Sequence, residues 1–498
     1  MADNQGSQDT VTFKLNGNSV TVPKGWTVMQ AARREKVDIP HFCWHPGLTV
    51  AGVCRFCMVK VNGRPKLEIA CNLQATDGMD VNTTEKDVET AHKWALEFHL
   101  INHPLDCPIC DQAGECSLQD NYMKVGKYHS QMMRPKVLKP KALHVGGDLV
   151  LDTERCILCS RCTRFEKEVT KTGALGIFDR GDRSVIGIYP DKKINHNYTA
   201  NLVDICPVGA FTSENFRFKQ RVWFLKDRPA TCPGCSTGCQ TKVYAKEETR
   251  RFFRLKPADS VDSGNWMCDK GRGMYEHLNK ESRMLFAYQT GTAGSYQRVG
   301  NDDALKDLGA KIKAAGKDQV AILISAQYTN EEYAALFSLL VDKFGIKKVF
   351  QWREPTEKVA DFDGLLYRGD HNSNTAGLLA ALKSRGLGDS AKNQFDDVAQ
   401  CGAKIVLAFA PEIPKTFPSF KDQLKKLSEL GSVAVFSCTY EPKDFSFSTL
   451  IPLRGFAEKS GTVTNFEGKQ QVSADSFPAV VAEALCLKSV ANKLGAYL

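Results

Sequence analysis

The sequence predicts a multidomain protein in which small α+β domains precede one larger α/β domain. Two observations support this prediction. Fifteen of the eighteen cysteines lie between Cys43 and Cys268, whereas the segment after residue 297 alternates helix-like stretches with short β-branched runs. The length of 498 residues allows about three domains. No apolar run is long enough to span a bilayer, and 42% hydrophobic with 25% charged residues is typical of a globular protein.

The N-terminus, MADNQGSQDT, is polar and contains no arginine. It has neither the apolar core of a secretory signal nor the Arg- and Ser-rich pattern of a mitochondrial presequence. We therefore expect a bacterial, cytoplasmic chain unless a presequence has been removed. In such a chain, many cysteines indicate metal rather than disulfides. The net charge of +9 is spread along the chain, so nucleic-acid binding is not expected.

The first cysteine group follows a predicted β-hairpin with its turn at Asn16-Gly17 and a short helix over 27–34. Strands are expected near 58–61 and 67–70. This order resembles a plant-type ferredoxin, although those proteins have four residues between their first two ligands and this chain has ten. The pattern predicts a [2Fe–2S] centre, with a zinc site as the alternative. Its ligands would be Cys43, Cys54, Cys57 and Cys71.

The second group follows a helix predicted over 84–101 with Thr84 as its N-cap. The pattern H-x3-C-x2-C-x5-C can hold a [4Fe–4S] cluster with one imidazole ligand or a structural zinc ion, and spacing alone does not separate the two. His45, His92 and His99 are competing histidines. The predicted ligands are His103, Cys107, Cys110 and Cys116.

The third group combines CILCSRC with a remote Cys-Pro, the arrangement of bacterial ferredoxins. It predicts a [4Fe–4S] centre, and the remote cysteine is expected to close the same cluster because no second triplet exists. Its ligands would be Cys156, Cys159, Cys162 and Cys206. Downstream, the period-two spacing of Phe216, Phe218, Val222 and Phe224 predicts a half-buried strand.

The fourth group has the pattern C-x2-C-x3-C followed by a remote cysteine in MCDKGRG. It is similar to the N-terminal [4Fe–4S] domain of molybdopterin oxidoreductases such as formate dehydrogenases, with Lys270 at the position of the lysine between cluster and pterin. A zinc ribbon is the alternative. The predicted ligands are Cys232, Cys235, Cys239 and Cys268.

The C-terminal segment predicts a doubly wound parallel sheet, with helices over 302–315 and 330–344 between the runs VAILIS, KVFQW, KIVLAFA and VAVFSC. Near the end, a second stretch resembles molybdopterin oxidoreductases. Its matching residues are Glu458, Gly461, Thr462, Asn465, Glu467, Gly468 and Gln471, while Lys469 replaces an arginine. Only about 230 residues follow Cys268, and the three remaining cysteines, Cys401, Cys438 and Cys486, are isolated. We expect a shortened domain without molybdopterin.

Together, the four groups in this order resemble the large iron–sulfur (75-kDa or G) subunits of respiratory complex I, in the bacterial form with an extra fourth cluster. The resemblance favours iron in the second group. It implies one [2Fe–2S] and three [4Fe–4S] clusters that carry electrons. Electrons from an FMN subunit would enter at the Cys43 set, pass the Cys156 and His103 sets, and leave toward quinone, with the Cys232 set off this path.

The resemblance also implies partners and a location. The partners would be an FMN/NADH-binding subunit, a small [2Fe–2S] subunit, a ferredoxin-like two-cluster subunit and other peripheral-arm subunits. The chain would lie at the cytoplasmic side of the bacterial inner membrane without spanning it, and would hold no catalytic residue of its own. The alternatives are a molybdenum or tungsten formate dehydrogenase, a hydrogenase-type subunit, and a zinc scaffold without redox function.

The expected domains follow the cysteine groups. A β-grasp, plant-type [2Fe–2S] ferredoxin domain is expected over 1–83 and a His/Cys cluster domain over 84–135. A bacterial-ferredoxin-like domain would occupy 136–225 and a molybdopterin-oxidoreductase-type cluster domain 226–285. The shortened, doubly wound α/β domain would occupy 286–498.

Overall fold

The structure is a computed structural model. It describes residues 9–127, 129, 132–258, 264–291, 295–388, 390, 394–439, 446–473 and 476–498. The chain divides into two compact units, with the boundary between Trp223 and Phe224. Among the described residues, no helix is long and apolar enough to cross a membrane.

The first unit begins with a five-stranded mixed sheet in the order β2-β1-β5-β3-β4. The hairpin turn has Asn16 at φ 52° and Gly17 at φ 82°, as the Asn-Gly pair predicts. Helix α1 begins after Thr27, which forms a capping box with Gln30, and it buries its apolar face against the sheet. The predicted β-grasp fold is confirmed. Its elements are β1 (Thr10–Leu15), β2 (Asn18–Pro23), α1 (Val28–Arg34), β3 (Met58–Val61), β4 (Glu68–Ile69) and β5 (Asp80–Asn82).

The next helix, α2 (Lys86–Leu100), begins later than predicted. Glu85 is its N-cap residue and makes no side-chain capping bond. Thr84 is not the cap, because its backbone N–H and its hydroxyl both donate to the side-chain oxygen of Asn82, at 2.8 and 3.3 Å. The hydroxyl that would have capped the helix is thus used in a local turn.

The rest of the first unit consists of short elements around the second and third cysteine groups. A three-stranded sheet has the order β10-β7-β6, and β8 and β9 form a separate antiparallel hairpin. The elements are α3 (Ser117–Val125), β6 (Leu143–Gly146), β7 (Leu149–Leu151), α4 (Arg161–Glu168), β8 (Leu175–Phe178), β9 (Val185–Ile188), α5 (Asn201–Ile205) and β10 (Phe211–Ser213).

The strand predicted from Phe216 to Phe224 does not form. Phe218 has φ 61° and is 71% exposed, and its backbone N–H donates to the Asp111 carboxylate at 2.9 Å instead of joining a ladder. A 3-10 turn over Val222–Phe224 follows. Two neighbouring residues of this segment stack on each other, since the Arg217 guanidinium lies 4.7 Å from the Phe218 ring centre.

The second unit begins with an antiparallel sheet and contains a larger, seven-stranded one. The antiparallel sheet consists of β11 (Lys226–Thr231), β12 (Gln240–Lys246) and β13 (Arg251–Pro257). The order of the larger sheet is β15-β14-β20-β19-β18-β16-β17. Its five strands from β20 to β17 are parallel, as predicted. The strand β14 is antiparallel to both of its neighbours, and β15 forms the edge beyond it. The strands of the larger sheet are β14 (Ala287–Thr290), β15 (Tyr296–Val299), β16 (Val320–Ser325), β17 (Lys348–Trp352), β18 (Ile405–Phe409), β19 (Ser432–Ser437) and β20 (Thr449–Pro452).

Helices cover the large sheet, and a last hairpin carries the molybdopterin-oxidoreductase-like segment. The predicted helix over 330–344 is α-helical only to Phe337 and continues as a π-helix over Ser338–Lys343. The helices are α6 (Asp269–Arg272), α7 (Asn301–Ala315), α8 (Asn330–Phe337), α9 (Thr375–Lys383), α10 (Phe420–Ser428) and α11 (Leu487–Gly495), and the hairpin is β21 (Gly461–Thr464) with β22 (Gln470–Ser473).

Both faces of the large sheet are buried. In β16, Ile322 and Ile324 belong to one apolar cluster, whereas Ala321 and Leu323 belong to another. Burial on both sides explains why the sequence VAILIS is apolar throughout and does not alternate. The strand anchors the core of the second unit.

Candidate iron–sulfur centres

The first cysteine group forms two pairs of sulfurs. Cys43 shares a side-chain hydrogen bond with Cys54, and Cys57 shares one with Cys71. The bond from Cys54 lowers the pKa of the Cys43 thiol to about 5, because it stabilises the thiolate. All four side chains are buried. Two pairs of thiolates fit a [2Fe–2S] cluster, in which two irons share four cysteine ligands.

Helix α4 fastens the loop of the first group. The Arg164 guanidinium donates to the carbonyl oxygens of Cys43 and Thr49, and Arg161 donates to the carbonyl of Trp44 at 2.6 Å. Glu168, at the end of the helix, accepts from the Thr49 N–H at 2.9 Å. Since α4 also carries Cys162 of the third group, the first and third groups share one rigid element.

The second group contains a histidine with a free ring nitrogen. Within the described part of the chain, Nδ1 of His103 is buried and has no hydrogen-bond partner. Burial lowers its pKa to about 4, which keeps the imidazole neutral and its lone pair available to a metal. A buried nitrogen without a partner, on a residue four positions before Cys107 in the chain, fits a ligand role. Cys107 is exposed, while Cys110 and Cys116 are buried.

The three competing histidines have hydrogen-bond partners. His92 and His99 bond to the carbonyls of Met58 and Ala95, at 2.9 and 2.6 Å. Nδ1 of His45 accepts from the Gly47 N–H at 3.2 Å. One ring nitrogen of each competing histidine therefore has a local hydrogen-bond partner. His103 is favoured by its position four residues before Cys107 in the predicted pattern.

The third group is wound tightly around its cysteines. Leu158 and Ser160 adopt left-handed backbone angles, with φ 56° and 60°, and the Leu158 N–H donates to the Cys156 sulfur at 3.3 Å. Burial raises the pKa of Cys156 to about 12 and that of Cys159 to about 11. Thiolates here would thus need a cationic metal beside them, and N–H bonds to sulfur are the contacts that adjust a cluster's potential.

An ion pair between a buried arginine and a half-buried aspartate links the second and third groups. Arg155, next to Cys156, contacts the carboxylate of Asp106, next to Cys107, at 2.9 Å. Asp152 lies 3.3 Å from the same guanidinium. The loops of the two groups are consequently held together by charge as well as by packing.

The fourth group surrounds a small cavity in the second unit. Its four cysteines are buried, and the Gly271 N–H donates to the Cys268 sulfur at 3.3 Å. A Cβ on Gly271 would lie 3.2 Å from the sulfurs of both Cys232 and Cys268. This close approach of backbone to sulfur is the cradle that a cubane cluster needs.

Lys270 and Tyr367 lie beside this cavity. The Lys270 ammonium is 4.3 Å from the centre of the Tyr367 ring, and that ring lines the cavity. The Tyr367 hydroxyl bonds to Nε2 of His371 at 2.8 Å. Tyr367 had no signal in the sequence, because it is more than 90 residues from the nearest cysteine of the group.

The molybdopterin-oxidoreductase-like segment makes structural contacts in the second unit. Glu458 accepts hydrogen bonds from the backbone N–H groups of Gly455 and Val480, both at 2.7 Å. Thr462 bonds to Glu331 at the start of α8. Gln471 accepts a bond from Gln240 at 2.8 Å.

The turn between β21 and β22 is held by Asn465. Its side-chain oxygen accepts from the N–H groups of Glu467 and Lys469, both at 3.0 Å.

Of the isolated cysteines, Cys438 is buried, whereas Cys401 and Cys486 are half-buried. Within the described residues, no three His, Cys, Asp or Glu side chains lie close enough to hold a single metal ion.

Four family models match consecutive stretches of the chain. Residues 8–86 match a 2Fe-2S iron-sulfur cluster binding domain, and residues 93–131 match the NADH-ubiquinone oxidoreductase-G iron-sulfur binding region. Residues 146–212 match the ferredoxin-like domain of NADH-quinone oxidoreductase subunit 3, and residues 225–280 match the molybdopterin oxidoreductase Fe4S4 domain. Fold and sites thus define an iron–sulfur protein with several [2Fe–2S] and [4Fe–4S] binding domains in series.

Proteins of similar sequence show to which iron–sulfur proteins this chain is related. The G subunit of the NADH-quinone oxidoreductase of Streptomyces coelicolor is 34% identical over 71% of this chain and 42% of its own length. The mitochondrial NADH dehydrogenase [ubiquinone] iron-sulfur protein 1 of Solanum tuberosum is 35% identical over 69% of this chain and 46% of its own length. Homologues of this chain are thus the large iron–sulfur (G) subunits of NADH-quinone oxidoreductases. The chain spans about half the length of the curated relatives it matches.

A solved structure of an NAD+-reducing [NiFe]-hydrogenase in the H2-reduced state is also similar. It is 30% identical, and the match covers 43% of this chain and 91% of that chain with a TM-score of 0.39.

Proposed function

We propose that this chain is an electron-transfer subunit of a proton-pumping NADH:quinone oxidoreductase. The observation that carries the proposal is the sharing of elements among the first three cysteine groups. Helix α4 carries Cys162 and bonds to the loop of Cys43, and the Arg155–Asp106 pair ties the third group to the second. Short, rigid separations between centres are what electron transfer requires, whereas separate structural metal sites would not need them.

The proposed ligands are those predicted from the sequence. The first centre, a [2Fe–2S] cluster, would use Cys43, Cys54, Cys57 and Cys71. The second, a [4Fe–4S] cluster, would use His103, Cys107, Cys110 and Cys116. The remaining [4Fe–4S] centres would use Cys156, Cys159, Cys162 and Cys206, and Cys232, Cys235, Cys239 and Cys268. The free nitrogen of His103 and the backbone approach at Gly271 support this assignment.

Each cluster, when bound, would accept and release one electron. The groups around each cluster set its reduction potential, and so how easily it would accept an electron. Burial disfavours added negative charge, whereas the guanidiniums of Arg161 and Arg164 and the N–H groups of Leu158 and Gly271 favour it. The chain thereby holds the centres apart from water at fixed potentials, and no catalytic residue is proposed on it.

The proposed route begins at the Cys43 set, which would receive electrons from an FMN/NADH-binding subunit with its small [2Fe–2S] partner. It continues to the Cys156 set and then to the His103 set. From there a ferredoxin-like two-cluster subunit would carry the electrons toward quinone. The exposure of Cys107 and of its neighbour Ile109, which is 61% exposed, suits an exit near the surface. The Cys232 set would be structural.

The proposed domains are 1–83, 84–135, 136–225, 226–285 and 286–498, in the roles predicted from the sequence. The chain would lie at the cytoplasmic side of the bacterial inner membrane, held there by the other peripheral-arm subunits. No molybdopterin is proposed, because residues of the pterin-like segment such as Glu458 and Asn465 contact protein groups.

The test is metal and sulfide analysis of the anaerobically purified protein, with EPR after reduction by NADH in the assembled complex. About 14 irons per chain and NADH-reducible [2Fe–2S] and [4Fe–4S] signals are expected. Cys159→Ser should remove about 4 irons, whereas the control Cys401→Ser should remove none. Stoichiometric molybdenum or tungsten would favour the formate-dehydrogenase alternative, and zinc in place of iron would rule out electron transfer.

A further inference from the structure

The segment Cys206–Ala210 lies between sulfurs of two different groups. On one side, the backbone N–H groups of Val208 and Ala210 hydrogen-bond to the Cys206 sulfur of the third group. On the other side, the Pro207 carbonyl oxygen lies 3.8 Å from the Cys116 sulfur of the second group and accepts from the Ser117 N–H at 3.0 Å. One stretch of backbone therefore contacts both groups.

The least space for a side chain in this segment is at Gly209. A Cβ built on this residue would lie 2.2 Å from the Cys110 sulfur, far inside any tolerated contact. The same Cβ would lie 3.1 Å from Cβ of Gln112 and 3.8 Å from Cδ of Arg155, so the backbone has little room to shift away from the sulfur. Gly209 is not among the described glycines with positive φ, so space rather than backbone conformation requires glycine here.

We propose that Gly209 is a positioning residue that brings the second and third centres onto one shared segment, and that Cys206–Gly209 is the route of electrons between them. The inference rests on the proposed function, since it needs the clusters assigned there. In this step the third centre loses one electron and the second gains it, with no bond broken and no proton moved. Electronic coupling decays more slowly along covalent bonds than across gaps. The segment reaches the second group at two places, Pro207 with Cys116 and Gly209 with Cys110, and each leaves a single gap to be crossed.

The competing route is the Arg155–Asp106 pair, which also joins the two loops. It consists of two side chains meeting through a hydrogen bond at 2.9 Å, and neither side chain is itself a ligand. The backbone segment begins at a ligand and ends against a ligand. Both routes cross one gap, but the Arg155–Asp106 route adds two long side chains and the peptide units beside Cys156 and Cys107. The backbone segment is therefore the shorter route between the two centres.

The test is Gly209→Ala in the full chain within the assembled complex, with the iron content and the EPR signal of each centre measured. Loss of the second centre with retention of the first and third is expected, with a fall of about 4 irons per chain. If all centres remain, freeze-quench EPR should show electrons reaching the second centre at least about tenfold more slowly. The control is Gly388→Ala, whose added Cβ meets no atom within 4 Å. An unchanged second centre filled at the wild-type rate would overturn the proposal.

If Gly209→Ala also disturbs the third centre, a double-mutant cycle separates this effect from the clash with Cys110. Cys110→Ala removes the sulfur that the new Cβ would strike, so Gly209→Ala should have no further effect in that background. Loss of the third centre in the double variant, when Cys110→Ala alone retains it, would also overturn the proposal. Failure of the proposed function is a different result, since the wild-type protein would then contain no iron in these sets.

Discussion

Arg283 and Glu458 form a fully buried ion pair in the second unit, with 2.9 Å between the charged groups and both side chains 0% exposed. The guanidinium also donates to the backbone carbonyls of Cys438, Leu278 and Leu453, at 3.2, 3.3 and 2.8 Å. Arg283→Met would leave one carboxylate and three carbonyls buried without this partner. Removing one member of a buried pair costs about 3–5 kcal/mol, and we expect a loss of that size in the free energy of unfolding.

Native-state hydrogen exchange of peptides covering β19 and β20 measures this loss in the second unit alone. Arg251→Met is the matched control, because its pair with Glu281 has the same 2.9 Å separation but side chains that are 54% and 65% exposed. That pair should contribute less than about 1 kcal/mol. Equal losses of unfolding free energy in the two variants would refute the reasoning. They would mean that the contact between the charges, and not its burial, determines the cost of removing the arginine. Adding Glu458→Gln to Arg283→Met should restore part of the stability.

Three further predictions concern charge. His103→Cys should keep a cluster in the second group but lower its midpoint potential in an EPR-monitored titration, because a thiolate adds negative charge; an unchanged potential would exclude His103 as ligand. Arg164→Gln should lower the midpoint potential of the first centre, since it removes a cation beside Cys43; a rise would contradict this. Burial raises the pKa of Glu412 from 4.5 to about 7, so the folded state holds this proton more tightly than the unfolded chain. The stability that this proton contributes is fully present below pH 4.5, and up to about 3 kcal/mol of it should be lost as the pH rises to 7. The free energy of unfolding, measured with urea at several pH values, should therefore fall less steeply with pH in Glu412→Gln than in the wild-type protein.

Much of the fold was predictable because its determinants are local. The Asn16-Gly17 turn and the runs that form β16 and β18 each need only a few consecutive residues to specify them. The cysteine groups are similar, since three ligands of each cubane lie within a short loop. Burial of β16 on both faces follows from its uninterrupted apolar sequence.

The wrong predictions came from contacts between distant or competing groups. Thr84 matched the N-cap pattern, but Asn82 offered its hydroxyl a nearer acceptor. The strand at Phe218 failed because Asp111, more than 100 residues earlier, takes its backbone N–H. The closeness of Gly209 to Cys110 also depends on tertiary structure, although a glycine three residues after Cys206 was a signal that sequence reasoning could have used.

The sharing of α4 and of the Cys206–Ala210 segment among three groups has a consequence for how the protein matures. Metal binding stabilises the folded state only where the ligands are brought together. Because the same helix and segment serve several groups, each cluster that is inserted would order part of the next site. Loading would then be cooperative, and chains with a single cluster would be scarce compared with empty and full ones. When iron is limiting, the cell would hold fewer complete subunits rather than many partly conducting ones.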